Sequence, residues 1–147
     1  MTKQLLSVLA EGYEGPRSSL SYFLDDSPDA GLRRTLARLS AAYASKEVGG
    51  NSVAAHAHHI LFSFEAFRAF IEGDRNLRDW NESWRVSAVD DEQWKTLQGD
   101  LEREYALLRE AVRGAEGDEA LRGSLAAVTH LAYHIGAIRQ KLQRAAA

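Results

Sequence analysis

From Trp94 to Val112 apolar residues recur at intervals of three and four: Trp94, Leu97, Leu101, Tyr105, Leu108 and Val112. That spacing lays one apolar stripe along a helix and suits no strand, whose faces alternate every second residue. The stretch just before it, "VDDEQW", is a complete helix start. Asp90 can accept from the backbone N–H of Gln93, the Gln93 side chain can reach back, and Val89 can meet Trp94 as a hydrophobic staple. Gly114 and Gly117 end the helix. A long amphipathic helix must bury its stripe against elements of similar length, so the remaining chain has to supply partner helices.

It does so in segments divided by glycine and proline. Gln4 to Tyr13 carries Leu5, Leu6 and Leu9 and stops at "EGYEGP". A short apolar piece, "SSLSYFL", follows. "DDSPDA" then predicts a helix start with Ser27 as N-cap and Pro28 in the first position, continued by Leu32, Leu36, Leu39 and Tyr43. Beyond "KEVGGNS", Asn51 or Ser52 caps a long helix running to about Glu72 and ended by Gly73. Val53, Ile60, Phe64, Phe67 and Ile71 share one side of it. "DRNLRDWNESWRVSAV" has no clean period and reads as a connection with a short helical turn. The last helix starts near Asp118, runs to about Arg144 and carries a stripe of Leu121, Leu125, Val128, Ile135, Ile138 and Leu142. The expectation is an all-α single domain over residues 1–147: four principal helices in a bundle with long connections.

Composition removes several function classes. There is no cysteine, hence no disulfide framework and no thiolate nucleophile or ligand. A net charge of −3 argues against a broad electrostatic grip on nucleic acid. The apolar run in "MTKQLLSVLAEGY" is too short for a signal h-region, and nothing reaches transmembrane length, so a cytoplasmic location without membrane insertion is expected. No glycine-rich phosphate loop is present, and "VGGNS" lacks the lysine. No stretch marks a nucleophile elbow.

The chemistry-bearing residues are the five histidines, which fall in two clusters: His56, His58 and His59 in "NSVAAHAHHILFSF", and His130 and His134 in "VTHLAYHIGAIRQ". With Leu121 at zero and about 100° per residue, the apolar stripe of the last helix centres near 320° and the two histidines lie near 180° and 220°. They form a second strip beside Ala126, Ala127 and Ala137. Neither Gly123 to Ile138 nor Asn51 to Phe64 contains a charged residue, which predicts that both segments are covered on most sides. Spacing of four sets His130 and His134 one turn apart on one face, where two imidazoles can reach one metal ion. Two ligands are too few, and the upstream cluster is the other source of nitrogen. His56 and His59 share a face, whereas His58 points roughly 160° from His56, toward a neighbouring helix, a dimer partner or solvent. A three-histidine site between two helices is the simplest arrangement that uses both clusters. The sequence is His-Leu-Ala-Tyr-His, so the zincin glutamate is missing, and no Glu-x-x-His pair supports a di-iron centre.

"NSVAAHAHHILFSF" followed by "THLAYHIGAIRQ" resembles the DinB/YfiT-like superfamily of four-helix-bundle metalloenzymes. Members open the second main helix with Ser/Thr-Val/Ile, place a histidine seven residues on, and carry a late His-x-x-x-His. "DWNESW" and "VDDEQW" are similar to the family's tryptophan-bearing connection and third helix. Seven residues from Ser52 lies His59, so the resemblance implies His59, His130 and His134 as metal ligands, with His56 and His58 as additions to the pattern. It further implies a divalent ion (zinc, nickel or iron), a small-molecule substrate, transfer of low-molecular-weight thiols or metal-assisted hydrolysis or isomerisation, and a homodimer.

Three functions compete at this stage: a metal-dependent enzyme, a non-catalytic metal- or ligand-binding, stress-associated bundle, and a plain dimeric bundle with core histidines. No residue is assigned as catalytic; Glu65, six positions from His59, points away from it. Trp94 and Tyr105 read as core, Trp80 and Trp84 as the mouth of a pocket or pins for the connection. Arg33, Arg34 and Arg38 read as a solvated face and "LEREYALLREAVR" as a charged outer surface.

Overall fold

The computed structural model describes residues 1–17, 21–27 and 29–146, and all regular structure among them is helical. Six α-helices follow in order: α1 (Thr2–Glu14), α2 (Leu32–Ala37), α3 (Ala41–Ala44), α4 (Val53–Ile71), α5 (Asp91–Arg113) and α6 (Gly117–Ala146). A 3-10 turn, Trp80–Trp84, lies between α4 and α5. The four long helices make a bundle in which α4 packs on α5 and α6, and α1 packs on the same two from the opposite side.

The local starts follow the sequence. The Asp90 side chain accepts from Gln93 N at 2.8 Å, and Gln93 Oε1 accepts from Asp90 N at 2.9 Å, closing the capping box. Ser52 caps α4, accepting from Ala55 N at 3.0 Å and donating to the Ser87 carbonyl at 2.5 Å. One buried hydroxyl thus starts α4 and ties it to the segment leading into α5.

Two expectations are corrected. The predicted single helix through Leu32, Leu36, Leu39 and Tyr43 is two short ones, because Ser40 breaks out to accept from Tyr43 N and cap α3 anew. Ser27 is not the N-cap; α2 starts after Gly31, and Pro28 lies outside the described residues. The reason is a close approach. A Cβ on Gly31 would sit 2.3 Å from the backbone nitrogen of Gly15, so α1's end dictates where α2 begins.

In the core Tyr13 stacks on Tyr105 at 4.0 Å between centroids, and Phe64 meets Tyr13 edge-on at 6.1 Å. The tyrosine hydroxyls donate to Glu102 at 3.0 Å and Glu14 at 2.8 Å, and burial, with those carboxylates, raises both phenol pKa values. Phe64 is fully buried from α4 against α1 and α5. Phe64→Ala is expected to lower unfolding stability by about 3–5 kcal/mol, measured by urea denaturation. The "LEREYALLREAVR" surface holds an exception: Glu104 is buried and pairs with Arg68 of α4. Arg33, Arg34 and Arg38 are exposed as expected, paired with Glu102 and Asp29.

Candidate metal centre

Helices α4 and α6 bring the two histidine clusters together. Beside the histidines each helix carries a small, buried side chain, Ala55 on α4 and Ala127 on α6, each 1 % exposed. A Cβ on Gly123 would lie 2.7 Å from Phe70 Cδ1, so only glycine lets α6 approach α4 this closely there. Lys141 fixes the axial register by donating to the carbonyls of Val48 and Gly49 ahead of α4.

In that register His59, His130 and His134 each offer a ligand atom, and the three atoms lie within 4.8 Å of one another. Such a group can hold a metal ion. His59 Nε2 is 3.1 Å from His130 Nε2. The ring centroids are 4.9 Å apart for His59 and His130, 4.4 Å for His59 and His134, and 4.5 Å for His130 and His134. His56 joins from the side, its Nδ1 3.0 Å from His134 Nδ1. His58 does not join: its Nδ1 donates to the Ser83 carbonyl at 2.8 Å.

The depth of each imidazole on α6 follows from the full stripe. Leu125, assigned to the stripe from sequence, is 52 % exposed, and Leu131, passed over, is buried. Exchanging them moves the stripe's centre closer to the histidines, to about 310°. His134 then lies about 90° from the centre and His130 about 130°. Accordingly His134 is buried and His130 half-buried. The charge-free stretch of α6 is not covered all round either: Leu125, Thr129, Tyr133 and Gly136 form an exposed face.

Two residues of the connection complete the site. Trp84 stacks on His59, 4.0 Å between centroids and 15° from parallel. Ser83 Oγ sits 2.7 Å from His59 Nδ1 and donates its only proton to the Trp80 carbonyl at 2.5 Å. It can therefore only accept from His59, which places the proton on Nδ1 and leaves the Nε2 lone pair facing the cluster. This is the arrangement in which a second partner orients a ligating imidazole. The sequence offered Trp80 and Trp84 as the mouth of a pocket or as pins for the connection, and Ser83 was passed over. Its signal was the "DWNESW" turn, where Asp79 accepts from Asn81 N and curls Ser83 inward. Ser83→Ala is expected to weaken metal affinity about 10- to 100-fold, measured by competition with a chelator.

All four inward imidazoles are held neutral. Burial pushes His134 down to about 3, helped by His130, His59 and His56. Burial likewise lowers His59 to about 4, with His130, His56 and His58 adding repulsion, and His56 to about 4, with Lys141 adding to it. His130 is lowered by burial alone. Neutral imidazoles are the form a metal needs. Protein contacts alone leave His130 Nδ1 buried without a partner, while its Nε2 faces His59 in the cluster. No carboxylate contributes to any of the four shifts. Glu65 opens instead onto a separate groove shared with His58.

No helix among the described residues is long and apolar enough to cross a membrane. Comparison of the chain with protein-family models, with curated proteins and with solved structures finds no match.

Proposed function

We propose that the chain is a DinB/YfiT-like metal protein in which His59, His130 and His134 hold a divalent ion (zinc, nickel or iron) for metal-dependent transfer of a low-molecular-weight thiol or metal-assisted hydrolysis. The observation that carries this is the convergence of three neutral imidazoles from α4 and α6, with the His59 lone pair turned inward by Ser83.

The ion, when bound, would supply Lewis acidity toward a carbonyl, water or thiol. Three protein ligands are the usual complement of a site that keeps a position for substrate. The chain's own residues divide the remaining work. Ser83 and His56 orient His59 and His134 through their Nδ1 atoms. Trp84 covers His59 and limits water on that side. No carboxylate perturbs the three histidines, so a carboxylate base is missing beside them among the described residues, and a thiol that brings its own acidity suits the site better than water. The same observation favours the second reading, a bundle that binds metal or ligand without turnover. A homodimer in the cytoplasm belongs to the proposal; the exposed uncharged face of α6, with Leu125 and Tyr133, offers a second copy a place to pack.

The test is elemental analysis of protein purified without added metal, quantified per chain, followed by a thiol-transfer assay with several small thiols. About one ion per chain is expected. Transfer that is lost on metal removal supports the enzyme; metal without transfer to any thiol supports the binding protein.

A further inference from the structure

We infer that the cleft beside His130 binds a small amphiphilic anion: a flat apolar body carrying one carboxylate or similar head. The inference rests on the metal reading in one respect, that this ligand is the substrate side of the same site. The cleft has a volume of about 420 Å³ and lies between the end of α4, residues 74–80 and α6. That is the size of an ordinary small-molecule site. Its inner wall is shared with the histidine cluster. Phe67 and Trp80, which line it, approach the His130 ring at 5.5 and 5.9 Å between centroids. Gly123 and Ala126 form the α6 wall, and the absence of a Cβ at Gly123 keeps Phe70 in place.

The rim decides the charge of the ligand. Arg75, Arg78 and Arg122 line the cleft, with Asp74 as the one acid. Asp74 is already spent: Oδ1 accepts from the backbone and side chain of Asn76, and Oδ2 from Arg78. Arg75 lies 4.0 Å over the Phe70 ring and donates to the Phe70 carbonyl, closing the end of α4. Arg78 and Arg122 are held loosely, each by one contact of 3.4 Å, to Asp74 and Glu119. A guanidinium has five N–H donors in a planar fork that fits a carboxylate. Two such forks from the 74–80 segment and α6 therefore flank an aromatic floor, in a chain whose net charge is −3. The groove that takes in the other end of the Trp80–Trp84 turn is mainly acidic, with Glu65, Glu82, Glu92 and Asp100 against the single Arg85 in its lining. Of the two grooves, the arginine-rimmed one favours an anion.

The test titrates the full chain, by calorimetry, with 2-naphthylacetate, its neutral amide 2-naphthylacetamide, and 2-naphthylethylamine. Each titration is run on chelator-treated and zinc-treated protein. The carboxylate is expected to bind about tenfold more tightly than the amide, and the amine least. Arg78→Gln and Arg122→Gln, both surface changes, should each weaken the carboxylate about five- to tenfold and leave the amide unchanged. Equal binding of acid and amide overturns the inference. So does carboxylate binding that needs zinc and ignores both arginine variants, or a folded protein that binds none of the three. The two readings fail separately. Protein that takes up no zinc yet selects the carboxylate keeps the cleft and sinks the metal site; protein that takes up zinc and ignores all three probes does the reverse.

Discussion

Purified His134→Ala protein is expected to carry less than about a tenth of the metal per chain found in the wild type. His134 is the buried member of the α6 pair, and removing it leaves two ligands from different helices. Two imidazoles hold a divalent ion too weakly to survive purification. The effect is distinguishable from simple damage to the fold. His58→Ala removes an imidazole of the same α4 turn whose Nδ1 is committed to the Ser83 carbonyl, outside the cluster. That variant should keep most of its metal. Circular dichroism confirms that each variant is helical before its metal is counted. Full occupancy in folded His134→Ala protein would remove His134 from the site and with it the reading of α6 as a ligand-bearing helix.

Metal-free protein is expected to lose several kcal/mol of stability between pH 7 and pH 4.5. His56, His59, His130 and His134 all titrate lower in the folded chain than the ordinary value of 6.5. In this window the unfolded chain therefore binds protons that the folded chain refuses, so stability falls as pH falls. The contribution is complete above about 6.5 and is lost progressively toward pH 3–4, where the folded histidines finally charge. Each histidine adds a slope of up to about 1.4 kcal/mol per pH unit. Against a total of about 5–15 kcal/mol, four such groups bring the protein close to unfolding. Two carboxylates act in the same direction as the histidines but lower down: Glu11 and Glu14 are lowered below their ordinary 4.5, so their stabilisation is lost as pH falls through that region. Glu65, raised by burial, works the other way and makes the slope shallower near the bottom of the window. For Glu11 burial pushes upward, but the Ser21 hydroxyl and the N–H groups of Leu24, Phe23 and Tyr22 outweigh it. Urea midpoints of metal-free protein at intervals from pH 7 to 4.5 provide the check. A flat profile would mean that the imidazoles are not buried as described. Zinc should steepen it, because protons and metal compete for the same lone pairs.

What was readable in the sequence was what depends on neighbours along the chain. The capping box at Asp90 and Gln93, the Ser52 cap and the stop at Gly73 are contacts within a turn or two, and all three are where the residues place them. The pairing of His130 with His134 is also local, since four residues make one turn. The misplaced elements are those decided from a distance. Gly31 starts α2 because the end of α1 lies against it. Leu125 was assigned to the core stripe because it fits the period, but no helix among the described residues covers that side of α6. Glu104 lies in a charged run and is nevertheless buried against Arg68, which comes from another helix.

The candidate site divides along the same line. Sequence alone determined which residue types can bind a metal, that they sit on two uncharged helical segments, and that His58 faces away from His56. Only the tertiary structure decided that α4 and α6 lie side by side at a separation set by alanines and Gly123. It alone turned His59 toward the cluster through Ser83, and placed the arginines of residues 74–80 opposite Arg122. The physical reason is that helical periodicity specifies an angle about one axis, while a ligand set needs a distance between two axes, and that distance is set by the side chains packed between them.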